Sequence, residues 1–141
     1  MRAVRRIALM GLAISGLAAC GGDSDPGRPV TLAELPHPKP GLWRWSSGAG
    51  GVRQLCLSGQ VLGVLAPRPG CPVVRQVVLR DATYVVEAKC AGGTVRHISA
   101  RAWGDFDRAF STDVQLTDVA DHAEYRYLGP CPAGQKPDDA P

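Results

Sequence analysis

Two valine-rich runs on either side of Asp81-Ala82 constrain this chain more than any other feature. Apolar residues bounded by turn signals read as strands, and two such runs around a two-residue turn read as a β-hairpin. A two-residue turn at Asp81-Ala82 pairs Leu79 with Tyr84, Val77 with Val86, Arg75 with Ala88 and Val73 with Cys90. One face then carries Val73, Val77, Leu79, Tyr84, Val86, Ala88 and Cys90, and is expected to be the core face, with Arg75 its exception. The other carries Gln76, Arg80, Thr83, Glu87 and Lys89, with Val74, Val78 and Val85 among them. Asp-Ala is a weaker signal for this turn than Asp-Gly, which leaves a slip of one residue open.

The rest of the chain continues in the same manner. Residues 42–47 alternate, with Trp43 and Trp45 on one face and Arg44 on the other. Residues 52–58, 94–102, 108–116 and 124–128 are further strand candidates, separated by Gly92-Gly93, Gly104-Asp105 and residues 117–121. Residues 60–65 are apolar but interrupted by Gly63, and read as a single helical turn. Pro67, Pro69 and Pro72 bound a loop. About seven short strands at this spacing predict an all-β domain, an antiparallel meander forming a curled sheet or small open barrel. That domain is expected over residues 40–134. Residues 21–40, rich in Gly and Pro, are expected to be a flexible tether, and residues 135–141 a disordered tail.

The first nineteen residues read differently. Arg2, Arg5 and Arg6 precede an uncharged apolar stretch, residues 7–17, too short to span a bilayer. Leu17-Ala18-Ala19-Cys20 closes it and resembles the bacterial lipobox, in which a Cys thiol accepts diacylglycerol and small residues before it admit the peptidase. Residues 1–19 are therefore expected to be a lipoprotein signal peptide. Cys20 is the expected lipidation site, carrying acyl chains such as palmitate as a stable membrane anchor. No Asp follows Cys20. In a Gram-negative host this points to the periplasmic leaflet of the outer membrane. An ordinary secretory peptide cut near Ala19 is the rival reading.

The formal charge of +3 belongs to this leader. Without Arg2, Arg5 and Arg6 the 16 basic residues fall to 13, against 13 acidic ones. A neutral domain with interspersed charges has no electrostatic footprint for nucleic acid.

Beyond Cys20 stand four cysteines, Cys56, Cys71, Cys90 and Cys131. An even number in an exported chain predicts two disulfides. A four-Cys zinc site is the rival, but there is no close CxxC pair, and neither metal nor cofactor is expected. Cys71 shares the side-chain parity of Val73, and so faces Cys90 diagonally across the open end of the hairpin. This predicts Cys71–Cys90, leaving Cys56–Cys131.

The ordered set Pro40-Gly41-Leu42-Trp43, Cys56-Leu57-Ser58, Cys71, Cys90, Gly104-Asp105-Phe106 and Leu128-Gly129-Pro130-Cys131 resembles the bacterial domain-of-unknown-function family 3617. Its members are small exported proteins, often lipoproteins. The resemblance covers about residues 40–138 and implies an envelope location, β structure and paired cysteines. It implies no activity. Residues 40–56 are shorter and more Gly-rich than the family pattern, and its Met-rich or Thr-rich strands are absent.

No catalytic constellation stands out. Ser99, His97 and Asp105 make a triad only on paper, without a GxSxG elbow. His37 lies among prolines, and His122 follows Asp121 at a turn. Asp105 and Asp107 lack the rest of a calcium loop. Gly48-Ala49-Gly50-Gly51 lacks the Lys-Ser/Thr of a phosphate loop and reads as a hairpin loop. Trp43, Trp45 and Trp103 are expected to fill the core. The sharper reading makes Trp43 and Trp45 ligand-lining residues at an apolar mouth. The expectation is a non-enzymatic envelope lipoprotein that binds an envelope protein or serves structurally. A carrier or sensor of an apolar ligand or lipid is the first alternative, and an unrecognised hydrolase the second.

Overall fold

The computed structural model describes residues 25–138. Eight strands form one antiparallel, unclosed sheet: β1 (Arg28–Pro29), β2 (Gly41–Ser47), β3 (Gly51–Leu57), β4 (Val73–Val78), β5 (Tyr84–Lys89), β6 (His97–Asp105), β7 (Ala109–Leu116) and β8 (Val119–Gly129). Their order is β1-β4-β5-β6-β7-β8-β2-β3. The all-β antiparallel sheet and both disulfides, Cys56–Cys131 and Cys71–Cys90, are as the sequence predicts, whereas the expected meander runs only through β4 to β8, with the β2–β3 hairpin added beside β8. Cys20 lies outside the described residues, as does the rest of the leader.

Alternation decides which face goes inward. Trp43 and Trp45 of β2, Leu55 and Leu57 of β3, Val86 of β5, Ala100 and Ala102 of β6, Phe110 of β7 and Tyr125 of β8 form one buried cluster. β2 and β5 stand four strands apart in the sheet yet share this cluster, so the sheet bends around it. Leu62 and Leu65, from the connection between β3 and β4, join the same core. That connection holds the expected single turn, with the Ala66 amide bonded to the Leu62 carbonyl.

The hairpin register differs by one residue from the two-residue turn. Val78 faces Tyr84, Val77 faces Val85 and Gln76 faces Val86. The Leu79 amide donates to the Thr83 carbonyl, which makes a three-residue loop of Arg80-Asp81-Ala82. Asp81 accepts from the Thr83 amide, and Ala82 takes the left-handed conformation at φ 62°. The slip exchanges faces on β4. Val78, Tyr84, Val86 and Ala88 turn toward the core, while Val77 and Val85 are buried on the outer side, where Gly27 packs against Val77 and Leu79.

A β-bulge between Val73 and Arg75 then shifts the pairing again, so that Val73 faces Ala88. Continued to the open end, that shifted register sets Cys71 opposite Cys90 rather than diagonal to it. The flanking bonds Lys89 N to Pro72 O and Ala91 N to Gly70 O make this a non-hydrogen-bonded pair. Such pairs bring Cα atoms closest, and these lie 3.9 Å apart.

The described part of the expected tether does not stand free. Asp25 accepts hydrogen bonds from the Gly27 and Arg80 amides. β1 pairs with β4, and Val30 N donates to Gln76 O. Thr31 N donates to the Glu34 carboxylate at a short 3-10 turn, Leu32–Glu34. Leu35, Pro36 and Pro38 are buried, and Lys39 N donates to Phe106 O. Prolines cannot propagate a helix, but they suit an extended strap that fills apolar gaps. The described part of the expected tail is also held: the Asp138 carboxylate accepts from the Cys56 amide, and the Asp138 amide donates to the Cys56 carbonyl.

The registers define two ends of the sheet. At the first rim lie the turns at 79–83 and 105–109, the start of β2 and the end of β8. At the second lie the hairpin loop 47–51, the turn at 116–119 and the loop bearing Cys71–Cys90.

Candidate functional site

The outward positions of β6, β7, β8 and β2 are mostly polar. Pairing sets them in rows across the sheet: Asp105, Ala109, Arg126, Arg44; then Trp103, Ser111, Glu124, Ser46; then Arg101, Asp113, His122. Small residues sit beside large ones. Ala109, Ser111 and Ser46 leave a depression walled by Trp103, Arg44, Arg126 and Glu124, a cleft of about 540 Å³. Arg44 and Arg126 are exposed and face each other directly across β2 and β8. Like charges so placed repel. Among the described residues neither guanidinium forms an ion pair or hydrogen bond. An anionic group would relieve that repulsion, and Arg suits phosphate and carboxylate geometry.

A second outer cleft, about 550 Å³, includes Ser99, Arg101, Asp113 and His122. Nδ1 of His122 lies 2.6 Å from Asp113, and its Nε2 lies 4.0 Å from Glu124. The Trp103 ring lies 5.9 Å from the imidazole. A His oriented by a carboxylate is half of a base-catalysis arrangement. The other half is a nucleophile in hydrogen-bond reach of the free nitrogen, and among the described residues no hydroxyl is bonded to His122.

The paper triad does not assemble. His97, Ser99 and Asp105 all belong to β6. Eight residues of strand separate His97 from Asp105 by roughly 26 Å. Asp105 and Asp107 form a turn, with Asp107 N donating to the Asp105 carboxylate and Arg108 N to the Asp105 carbonyl. Nδ1 of His37 lies 3.1 Å from the Gly59 carbonyl, and among the described residues the ring is bonded to no other side chain. Among the described residues no three His, Cys, Asp or Glu side chains gather as a metal site.

The two tryptophans part company. Trp43 is fully buried, edge-on to Phe110 and Tyr127, and its indole N–H donates to the Lys39 carbonyl at 2.9 Å. It lines no mouth, which corrects the ligand-lining reading for this residue: the strap across residues 35–40 covers it. Trp45 does border a mouth, with Val64, Leu116 and Tyr125, of about 210 Å³. Arg53 lies over its ring at 4.4 Å, and a side chain at Gly50 would strike the same ring, so the Gly-rich hairpin loop closes down on it. Burial pushes the Tyr125 hydroxyl up, against hydrogen bonds from Thr112 and Trp45.

Sequence reading did not find Arg126 or the Asp113–His122 pair, and its core reading of Trp103 is corrected: the residue is half-buried on the outer face, in register with Ser111 and Glu124. Arg126, Asp113 and His122 are each one polar position in an alternating strand, and only the cross-strand register brings them together with Trp103. The fold defines a class, a disulfide-stapled open β-sheet with a filled inner face and a polar, clefted outer one. No family model, curated protein or solved structure matches the chain.

Proposed function

We propose that this chain is an exported, lipid-anchored protein of the bacterial cell envelope that works by binding, through the outer face of its sheet, and not by catalysis. The observation that carries the reading is the cysteine pairing. Cys56–Cys131 and Cys71–Cys90 use every cysteine after Cys20. Such bridges persist in oxidising compartments. Cys20 is then the odd thiol, and it follows an apolar leader at the position where an acyl acceptor belongs.

Metabolic labelling with a palmitate analogue tests this. Wild-type protein incorporates label and fractionates with membranes, with the outer membrane in a Gram-negative host. Cys20→Ala loses the label and keeps its leader. Label that persists in Cys20→Ala, or none in wild type, refutes the reading. The carrier alternative has the mouth beside Trp45 in its favour and its size against it, since small-ligand sites are about 300–1,000 Å³.

A further inference from the structure

The packing of residues 25–40 changes what a lipid anchor at Cys20 does to the rest of the molecule. A free tether of twenty residues would lift the domain from the bilayer and let it tumble. Asp25 is instead bonded to the amide of Arg80, and Arg75 donates to the Pro26 carbonyl. The chain therefore leaves the fold beside the β4–β5 turn, at the first rim of the sheet. Cys20 stands five residues before Asp25. Five extended residues reach at most about 18 Å. β8, with its eleven residues, runs roughly 36 Å from one rim to the other.

We infer that the acylated protein rests on the bilayer surface with the first rim down, the turns at 79–83 and 105–109 against the headgroups and the second rim directed away. This rests on the lipid-anchor reading above. A leash half as long as the sheet cannot bring the second rim to the surface without also laying the sheet on its side.

The outer face gives the same direction from independent residues. Arg44, Arg126 and Ala109 form the row next to the first rim, and Trp103 is in the row behind it. The cleft they line is thus at the membrane-proximal end, its two guanidinium groups, unpaired among the described residues, in reach of headgroup phosphate. Trp favours the bilayer interface, and Arg binds phosphate oxygens in bidentate geometry. Lys39, Arg80 and Arg108 lie at this rim too, opposed by Asp25, Asp81, Asp105 and Asp107. Net charge does not select this end. The leash does, and the arginine pair suits it.

The test uses the full acylated chain, its acylation verified by mass, in vesicles of phosphatidylethanolamine and phosphatidylglycerol that carry headgroup-attached quencher. Dye is placed at Asp107→Cys, in the turn of the first rim, or at Asp118→Cys, in the turn of the second. Quenching several-fold stronger at 107 than at 118 is the expected result. Equal quenching, or stronger quenching at 118, overturns the inference. Hydrogen exchange of the unsubstituted acylated protein is the second measurement: amides at 105–109 gain protection on vesicles and those at 116–119 do not, and equal change at both refutes it. Inserting about twenty Gly/Ser residues between Ser24 and Asp25 restores a long tether and is expected to erase the difference between 107 and 118. A difference that survives the insertion refutes the leash as its cause. Failure of acylation appears in the mass before any quenching is read, so the two readings fail separately.

Discussion

Removing the two disulfides one at a time should cost the domain unequal amounts of stability. Cys56–Cys131 closes a loop of sequence separation 75, and Cys71–Cys90 one of 19. In the chain-entropy account the longer bridge stabilises by about 4.5 kcal/mol and the shorter by about 3.2 kcal/mol. Local packing widens the gap. Cys56 is 1% exposed, so truncating it leaves a small cavity, whereas Cys71 and Cys90 are half-buried. Cys56→Ala/Cys131→Ala is therefore expected to lose at least about 1 kcal/mol more than Cys71→Ala/Cys90→Ala, and to melt roughly 4–8 °C lower. The assay is urea and thermal unfolding of the unacylated mature chain, with pairing verified by non-reducing peptide mapping. Against a total of about 5–15 kcal/mol, either loss is large. Equal losses, or a larger loss for the 71–90 pair, would refute loop closure as the dominant contribution.

The β4–β5 turn makes a second expectation. Ala82 is left-handed and Asp81 is not, so Ala82→Gly should raise stability by about 0.5–1 kcal/mol while Asp81→Gly, which also loses the bond to the Thr83 amide, lowers it; denaturant midpoints that move the other way would restore the two-residue turn. Asp25 makes a third. Hydrogen bonds from the Arg80 and Gly27 amides hold its carboxyl below the usual value. A lowered folded pKa contributes stability that is complete above the unfolded value and disappears as pH falls through the folded one. The advantage of wild type over Asp25→Asn should therefore be complete at neutral pH and fade as pH falls below the ordinary aspartate value, and an advantage that stays constant on acid titration would sink the assignment.

The fold class was legible because periodicity of two survives in β2, β4, β5, β6 and β7, and because turn residues punctuate it. Register was not. Ala82 carries no glycine signal for its left-handed backbone, so nothing in Arg80-Asp81-Ala82-Thr83 announces a three-residue loop. The bridge Cys71–Cys90, predicted as a diagonal pair from the unshifted register, forms nonetheless, because the bulge after Val73 adds a second offset and sets the two cysteines opposite each other on one face. The strap was illegible for a different reason. Residues 25–40 form only two strand pairs, and their burial rests on Leu35 joining the common core and on Pro38 meeting the connection after β3, around residues 57–63. β8 began five residues early for a similar reason: Thr117 turns the chain at φ 49°, a conformation its side chain does not advertise.

The outer face shows why composition alone could not reach the site. Inward positions are marked by hydrophobicity, so Trp43, Phe110 and Tyr125 announce a core wherever they alternate. Outward positions of β6 to β8 are polar, as any solvated face would be. What makes a cleft there is the contrast of size between neighbours on different strands, Ala109 and Ser111 beside Trp103, Arg126 and Arg44. That contrast exists only once four strands are in register, and a one-residue slip in any of them would turn its members to the other face. The cleft is therefore a property of the pairing. Its closeness to the first rim is likewise set by register, because β1 and β8 bring opposite ends of the described chain to the same end of the sheet.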